Sequence, residues 1–142
     1  MKLRPIRVVL YAHPNTYGMY VLLLKEIGKR ENVVFNIEFA SSNVEAFARI
    51  PDTDILVGDL DRDARNHNGT HKDPAIQIIP LAISVGCPVI ITGMKEDLAL
   101  LDDKPLVRYH SVPDFSPRKF EVSIIDFIYQ LIERFDTKLA AA

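Results

Sequence analysis

Acidic and imidazole side chains are concentrated between residues 59 and 73, in a stretch with neither helical nor strand periodicity. Carboxylates and imidazoles bind metal ions, and an ionised carboxylate also acts as a nucleophile in covalent catalysis. The spacing matches no compact metal-ligand pattern, so we expect mostly solvated surface and no metal site. Asp59 differs from the others because it directly follows an apolar run, which makes it a candidate functional acid or a structural cap. The residues concerned are Asp59, Asp61, Asp63, His67, His71 and Asp73.

Short apolar runs alternate with helical segments along the chain and supply the elements that position these side chains. The runs are rich in β-branched residues, which is typical of strands in a parallel sheet. The expected strands are Arg7–Ala12, Val33–Phe39, Asp54–Gly58, Cys87–Thr92 and Leu106–Tyr109. Cap residues, prolines and helical spacing of apolar residues predict helices between and after them. The expected helices are Thr16–Arg30, Val44–Arg49, Pro74–Val85, Lys95–Leu101 and Phe120–Phe135.

This alternation predicts an α/β fold, a three-layer, doubly wound, five-stranded parallel sheet with strand order 2-1-3-4-5. Such a sheet has a crevice at the carboxyl ends of its first, third and fourth strands. His13, Asp59 and Thr92 lie at those ends in the sequence. We therefore expect them to meet in the crevice as candidate ligand or switch residues, with Asp61 in the loop beside them.

The composition is that of one globular domain. The chain has 142 residues, 48% hydrophobic and 25% charged, and one core can stabilise a chain of this length. We expect a single domain over residues 1–137 and interpret residues 138–142 as expression-vector sequence, which leaves open whether the natural chain continues beyond Thr137. The only cysteine, Cys87, is expected to be a buried packing residue.

Charge and hydropathy exclude some partners. The formal net charge of −2 argues against nucleic acid or an anionic membrane as a partner. No apolar stretch approaches the roughly 20 residues that span a bilayer. We expect a cytoplasmic protein.

The order of elements over residues 7–135 resembles the receiver domain of two-component response regulators. Asp54-Ile-Leu-Val-Gly-Asp59 resembles the third strand of that family, with Asp59 at the phosphoacceptor position. Pro88-Val-Ile-Ile-Thr92 resembles the fourth strand, which normally ends in a serine or threonine that contacts the phosphoryl group. Thr92 comes one residue early, so that Gly93 is the alternative occupant of this position. Tyr109, Pro113 and Phe115 resemble the aromatic, proline and phenylalanine of the fifth strand and its turn.

Two departures from the family pattern concern the phosphorylation chemistry. Receivers hold Mg²⁺ with two acidic residues at the end of the first strand, where this sequence has Ala12 and His13. The lysine that precedes the proline in receivers is replaced by Val112. Without these groups Mg²⁺ lacks hard oxygen ligands and a phosphoryl group lacks a cationic clamp. The resemblance thus implies a pseudo-receiver, with no cofactor and no ordinary phosphorylation of Asp59.

A pseudo-receiver is expected to act through protein contacts rather than as an enzyme. Its partner is another protein or a fused output domain. The resemblance also implies a homodimer through the fourth predicted helix, the fifth strand and the fifth helix. Tyr109, the strand-five aromatic, is expected to be locked in one rotamer.

Two enzyme alternatives remain open. Asp59-Leu-Asp61, Asn68-Gly-Thr70 and Asp73 resemble the nucleoside deoxyribosyltransferase pattern, which implies that Asp73 is a nucleophile and that Asp61 binds a sugar hydroxyl. Asp73 is otherwise an acid in the first turn of a helix. Tyr11-Ala-His-Pro14 resembles the start of flavodoxin-like quinone reductases, which implies a flavin-binding oxidoreductase.

Overall fold

The computed structural model describes residues 4–12, 14–59, 74–93, 106–111 and 116–141. Within these residues one sheet of five strands is formed, in the order β2-β1-β3-β4-β5, and all neighbouring strands are parallel. The strands are β1 (Ile6–Tyr11), β2 (Phe35–Phe39), β3 (Ile55–Asp59), β4 (Val89–Gly93) and β5 (Val107–Ser111). The predicted fold class and strand order are confirmed.

Four α-helices lie in the described part of the chain. They are α1 (Pro14–Glu31), α2 (Asn43–Arg49), α3 (Pro74–Ser84) and α4 (Pro117–Ala141), and a 3₁₀ turn, Ile50–Asp52, follows α2. The predicted helix over residues 95–101 lies outside the described residues. The last helix is longer than predicted at both ends. It begins earlier because the Ser116 side chain accepts a hydrogen bond from the backbone N–H of Lys119 at 3.1 Å and caps the helix there.

The sheet carries one apolar core on each face, as the predicted three-layer arrangement requires. One core lies under α1 and α4, and includes Ile55 and Val57 of β3 with Tyr20 of α1 and Phe120 of α4. The other lies under α2 and α3 and includes Cys87, which is 3% exposed. Burial of the single cysteine as a packing residue is therefore confirmed.

Helix α2 begins with a reciprocal cap. The Ser42 side chain accepts a hydrogen bond from the Glu45 backbone N–H at 3.2 Å, and the Glu45 carboxylate accepts one from the Ser41 backbone N–H at 2.8 Å. The first bond satisfies a backbone donor of the first turn that has no partner inside the helix, and the second ties the residue before the cap to that turn. The capping residue of α2 is thus Ser42.

Helix α1 approaches β2 closely at Gly28. A Cβ atom there would lie 2.7 Å from the carbonyl oxygen of Val33, so a larger residue requires the backbone to move. The Val33 N–H donates to the Gly28 carbonyl at 3.0 Å, and Asn32, with a φ of 55°, reverses the chain between them.

No helix among the described residues has both the length and the apolar composition needed to cross a bilayer.

Candidate functional site

The carboxyl ends of β1, β3 and β4 meet at one edge of the sheet, as the predicted crevice requires. Asp59 is paired with Thr92, and Tyr11 with Gly58 one residue earlier. Continuing this register places Ala12, the residue after β1, level with Asp59. The structure therefore brings together two of the candidates, Asp59 and Thr92, with Ala12 beside Asp59.

Asp59 is the final residue of β3 rather than the first residue of a loop. Successive strand residues alternate between the two faces of a sheet, and Ile55 and Val57 lie in the core under α1 and α4. Asp59 therefore faces the same side as these residues. It is 8% exposed, so its carboxylate sits mostly below the surface of the crevice rather than on it.

Thr92 is 3% exposed and lies on the same face as Asp59. Its hydroxyl oxygen is 3.4 Å from the phenolic oxygen of Tyr20, at hydrogen-bonding distance, and either group can donate. Gly93 takes the next position and ends β4 without a side chain. The one-residue offset noticed in the sequence therefore puts the hydroxyl of Thr92 at the level of Asp59, in contact with α1.

Tyr20 is the member of this group that the sequence did not point to. Burial, above all, raises the pKa of Tyr20 to about 12, the negative charge of Asp59 raises it further, and the hydrogen bond with Thr92 opposes both. Its ring packs on Phe120 of α4 with centroids 5.4 Å apart. A signal was present, because Tyr20, Leu24 and Ile27 have the i, i+4, i+7 spacing of the buried helix face.

A second buried polar pair lies one strand further along the same face. His110 of β5 is paired in register with Thr92, and its Nε2 atom is 3.0 Å from the Ser123 hydroxyl of α4. Both residues are at most 9% exposed. Burial, followed by the positive charge of Lys119, lowers the pKa of His110 below its usual value, which favours the neutral imidazole.

Tyr109 occupies the opposite face of the sheet. It is paired with Ile91, and the two residues contribute to the core under α2 and α3. Tyr109 is half-buried there. Its ring is thus on the other side of β5 from His110, and the sheet separates it from Asp59 and Thr92.

The remaining candidates lie outside the described residues. They are His13, Asp61, Asp73, Val112, Pro113 and Phe115. Their predicted roles, including the nucleophile of the deoxyribosyltransferase alternative, stay predictions. In the described part of the chain, no three His, Cys, Asp or Glu side chains form a group able to hold a metal ion.

Comparisons based on sequence give no relatives. No family model matches the chain, and no curated protein matches it either.

Comparison with solved structures gives a consistent result. A two-component transcriptional regulator AraC from Clostridium phytofermentans is 16% identical with a TM-score of 0.62, over 93% of this chain and 98% of that chain. A response regulator receiver domain protein from Clostridium thermocellum is 18% identical with a TM-score of 0.61, over 89% and 96%. A de novo designed Rossmann 2x3 fold protein is also similar, at 13% identity, a TM-score of 0.54 and coverage of 89% and 91%.

At these identities the likeness concerns the path of the backbone, since even a designed protein shares it. Most of the similar structures are receiver domains of response regulators. The chain has the doubly wound, five-stranded fold of response-regulator receiver domains.

Proposed function

We propose that this protein is a signalling module of the pseudo-receiver type, which acts through protein contacts without Mg²⁺-dependent phosphorylation of Asp59. The observation that carries the proposal is Ala12. It is fully buried at the end of β1, level with Asp59, at the place where the receiver resemblance calls for an acidic ligand of Mg²⁺. A methyl group supplies no oxygen to a hard cation, and magnesium binding normally relies on carboxylates and water.

The surroundings of Asp59 support the same proposal. The carboxylate is 8% exposed, and the Thr92 hydroxyl beside it contacts the Tyr20 phenol instead of an open crevice. A phosphoryl donor must reach the carboxylate in line, and the developing charge needs cationic stabilisation. Val112 stands in the sequence where receivers have their lysine, so this stabilisation is reduced as well.

A fixed surface then takes the place of a phosphorylation switch. Helix α4 carries two exposed apolar side chains, Val122 at 51% and Tyr129 at 58% exposure. They are seven residues apart, which places them on the same side of the helix. We assign to this side of α4 a contact with a second copy of the chain or with another protein.

The test is phosphoryl transfer from acetyl phosphate with Mg²⁺, followed by intact-protein mass spectrometry, with a working receiver domain as positive control. We expect no phosphorylated species for this protein. A phosphorylated species that disappears in Asp59→Asn would overturn the proposal.

A gain-of-function variant sharpens the test. Combining Ala12→Asp, His13→Asp and Val112→Lys restores the acidic pair and the lysine of receivers. We expect this variant, once circular dichroism shows that it folds, to be phosphorylated on Asp59. If the restored variant and the original chain are phosphorylated to the same extent, the three substituted positions do not limit phosphorylation.

A further inference from the structure

The outer edge of β2 forms an apolar groove with α1, and β1 separates this groove from β3 and β4. The groove has a volume of about 420 Å³, and Leu24, Val33, Phe35 and Ile37 contribute its apolar lining. Gly28 lies at its base, where the missing Cβ lets α1 sit close to the Phe35 ring. At the other end of β2, Tyr17 packs on Phe39 with ring centroids 4.5 Å apart.

The backbone of β2 is open along this groove. The Val34 carbonyl accepts from Ile6 and the Ala40 N–H donates to Leu10, so the even-numbered residues bond to β1. Alternation in a parallel ladder then turns the N–H and C=O groups of Phe35, Ile37 and Phe39 away from β1. Arg49 covers the Phe39 carbonyl. Within the described part of the chain, no backbone group outside β1 bonds to those of Phe35 and Ile37, which are therefore available to an added strand.

Two lysines flank the groove on α1. Lys25 and Lys29 line it, both are exposed, and neither forms an ion pair with any described residue. They are four residues apart, which separates them by ~6 Å along the helix axis. Alternate residues of a strand are separated by ~6.6 Å. Two carboxylates on one side of an extended segment therefore match the spacing of the two lysines.

We infer that the α1–β2 groove binds an extended acidic segment of a partner protein, which adds to the sheet as a strand next to β2. Backbone groups of the segment bond to Phe35 and Ile37, its apolar side chains enter the groove, and carboxylates two residues apart pair with Lys25 and Lys29. This combination of open edge, apolar pocket and charge is the recognition mode of strand addition.

Charge argues against a second copy of the chain as the occupant. Antiparallel pairing of two β2 edges about a twofold axis normal to the sheet would place both α1 helices on the same face, side by side. Lys25 and Lys29 of one copy would then face the same lysines of the other, and like charges in this arrangement oppose association. An acidic partner removes that repulsion.

The experiment uses the full chain and a synthetic peptide whose central sequence is Val-Thr-Glu-Thr-Glu-Thr-Val. Binding is followed by fluorescence anisotropy, and its place by amide chemical shifts and hydrogen exchange. We expect shifts along β2 and α1 and slower exchange at the amides of Phe35 and Ile37. A peptide with lysine in place of both glutamates should not bind.

Charge reversal on the protein provides the matched comparison. Lys25→Glu combined with Lys29→Glu should weaken binding by at least about tenfold. Arg118→Glu combined with Lys119→Glu makes the same change in net charge on α4, where both side chains are exposed, and should leave binding unchanged.

Three results would overturn the inference. They are no binding at millimolar peptide, shifts located away from β2 and α1, or concentration-dependent dimerisation that itself protects Phe35 and Ile37 from exchange. Peptide binding at β2 does not depend on phosphorylation of Asp59. If the peptide does not bind, the pseudo-receiver proposal is unaffected. If Asp59 is phosphorylated, the inference about the groove is likewise unaffected.

Discussion

Tyr20 and Thr92 place two hydroxyl groups in a buried space beside the Asp59 carboxylate, and their oxygens lie 3.4 Å apart, at hydrogen-bonding distance. Removing either hydroxyl takes away this buried hydrogen bond, at a cost of about 1 kcal/mol. We expect Tyr20→Phe and Thr92→Val each to lower the free energy of unfolding by about this amount. The free energy of unfolding of the double variant should fall by less than the sum of the two single decreases, because the shared hydrogen bond is lost only once. Urea unfolding of the four proteins measures the coupling, and strict additivity would show that the pair contributes nothing.

The raised pKa of Tyr20 predicts a loss of stability in alkali. The phenol ionises at about 12 in the folded state and near 10.0 when the chain is unfolded. The contribution of the Tyr20 phenol to the free energy of unfolding is fully present below pH 10. It falls by roughly 2 kcal/mol as the pH rises towards 12, because the unfolded chain loses the phenolic proton first. Chemical unfolding at several pH values should show that the free energy of unfolding declines less steeply with rising pH in Tyr20→Phe than in the original protein. Equal slopes in the two proteins would contradict the burial of a neutral phenol.

The lowered pKa of His110 predicts a change with the opposite sign. Folding favours the neutral ring, so the unfolded chain takes up a proton first as the pH falls below 6.5. The contribution of His110 is complete above that value and is lost as the pH falls through the lower pKa of the folded state. Carbon-bound proton shifts of the imidazole should titrate below pH 6.5, and His110→Gln should flatten the acid side of the stability profile. A titration above pH 6.5 would contradict this account.

The sequence predicted some residues of the candidate site and missed others. Asp59 and Thr92 were recognised because strand ends converge in a doubly wound sheet, and the structure confirms that they are neighbours. Tyr20 and the contact between His110 and Ser123 were missed, because each contact joins a strand residue to a helix residue, 72 positions apart in the first case and 13 in the second. Periodicity indicates which side of a helix is buried, but it does not indicate which strand residue that side contacts.

At the scale of elements, the two glycines of α1 provide a matched pair of predictions. A Cβ at Gly18 would meet nothing within 4 Å, whereas one at Gly28 would meet the Val33 carbonyl oxygen at 2.7 Å. Gly18→Ala should stabilise the protein by about 0.5–1 kcal/mol, since alanine favours the helix. Gly28→Ala gains the same propensity but should destabilise by about 1–3 kcal/mol overall, because the helix must move away from β2. Thermal unfolding gives the sign of each change, and stabilisation by both substitutions would contradict the close approach.

The boundaries of elements were predicted less well than their order. Helix α4 begins at Pro117 instead of Phe120 and ends at Ala141 instead of Phe135. Strand β3 ends at Asp59 instead of Gly58. In both cases an end residue is held by a partner that spacing does not reveal, the Ser116 cap for α4 and the pairing with Thr92 for β3.

At the scale of the whole molecule, fold and chemistry are separable. The order of strands follows from the alternation of short apolar runs with helices, and the sequence was sufficient to predict it. Receiver activity depends instead on a few side chains at one edge of that sheet, and the same backbone supports other uses. At this edge Ala12 is fully buried and Asp59, level with it, is mostly buried, and the pseudo-receiver proposal depends on these side chains.

The most direct test of this account is a titration of the isotopically labelled protein with beryllofluoride and Mg²⁺, read as amide chemical shifts. Beryllofluoride imitates an attached phosphoryl group at equilibrium, so a slow reaction with a phosphoryl donor cannot mask a competent site. We expect no saturable shift at Asp59, at Thr92 or across β5. Mg²⁺-dependent, saturable shifts at Asp59 and Thr92 that vanish in Asp59→Asn would contradict it and would identify a working receiver.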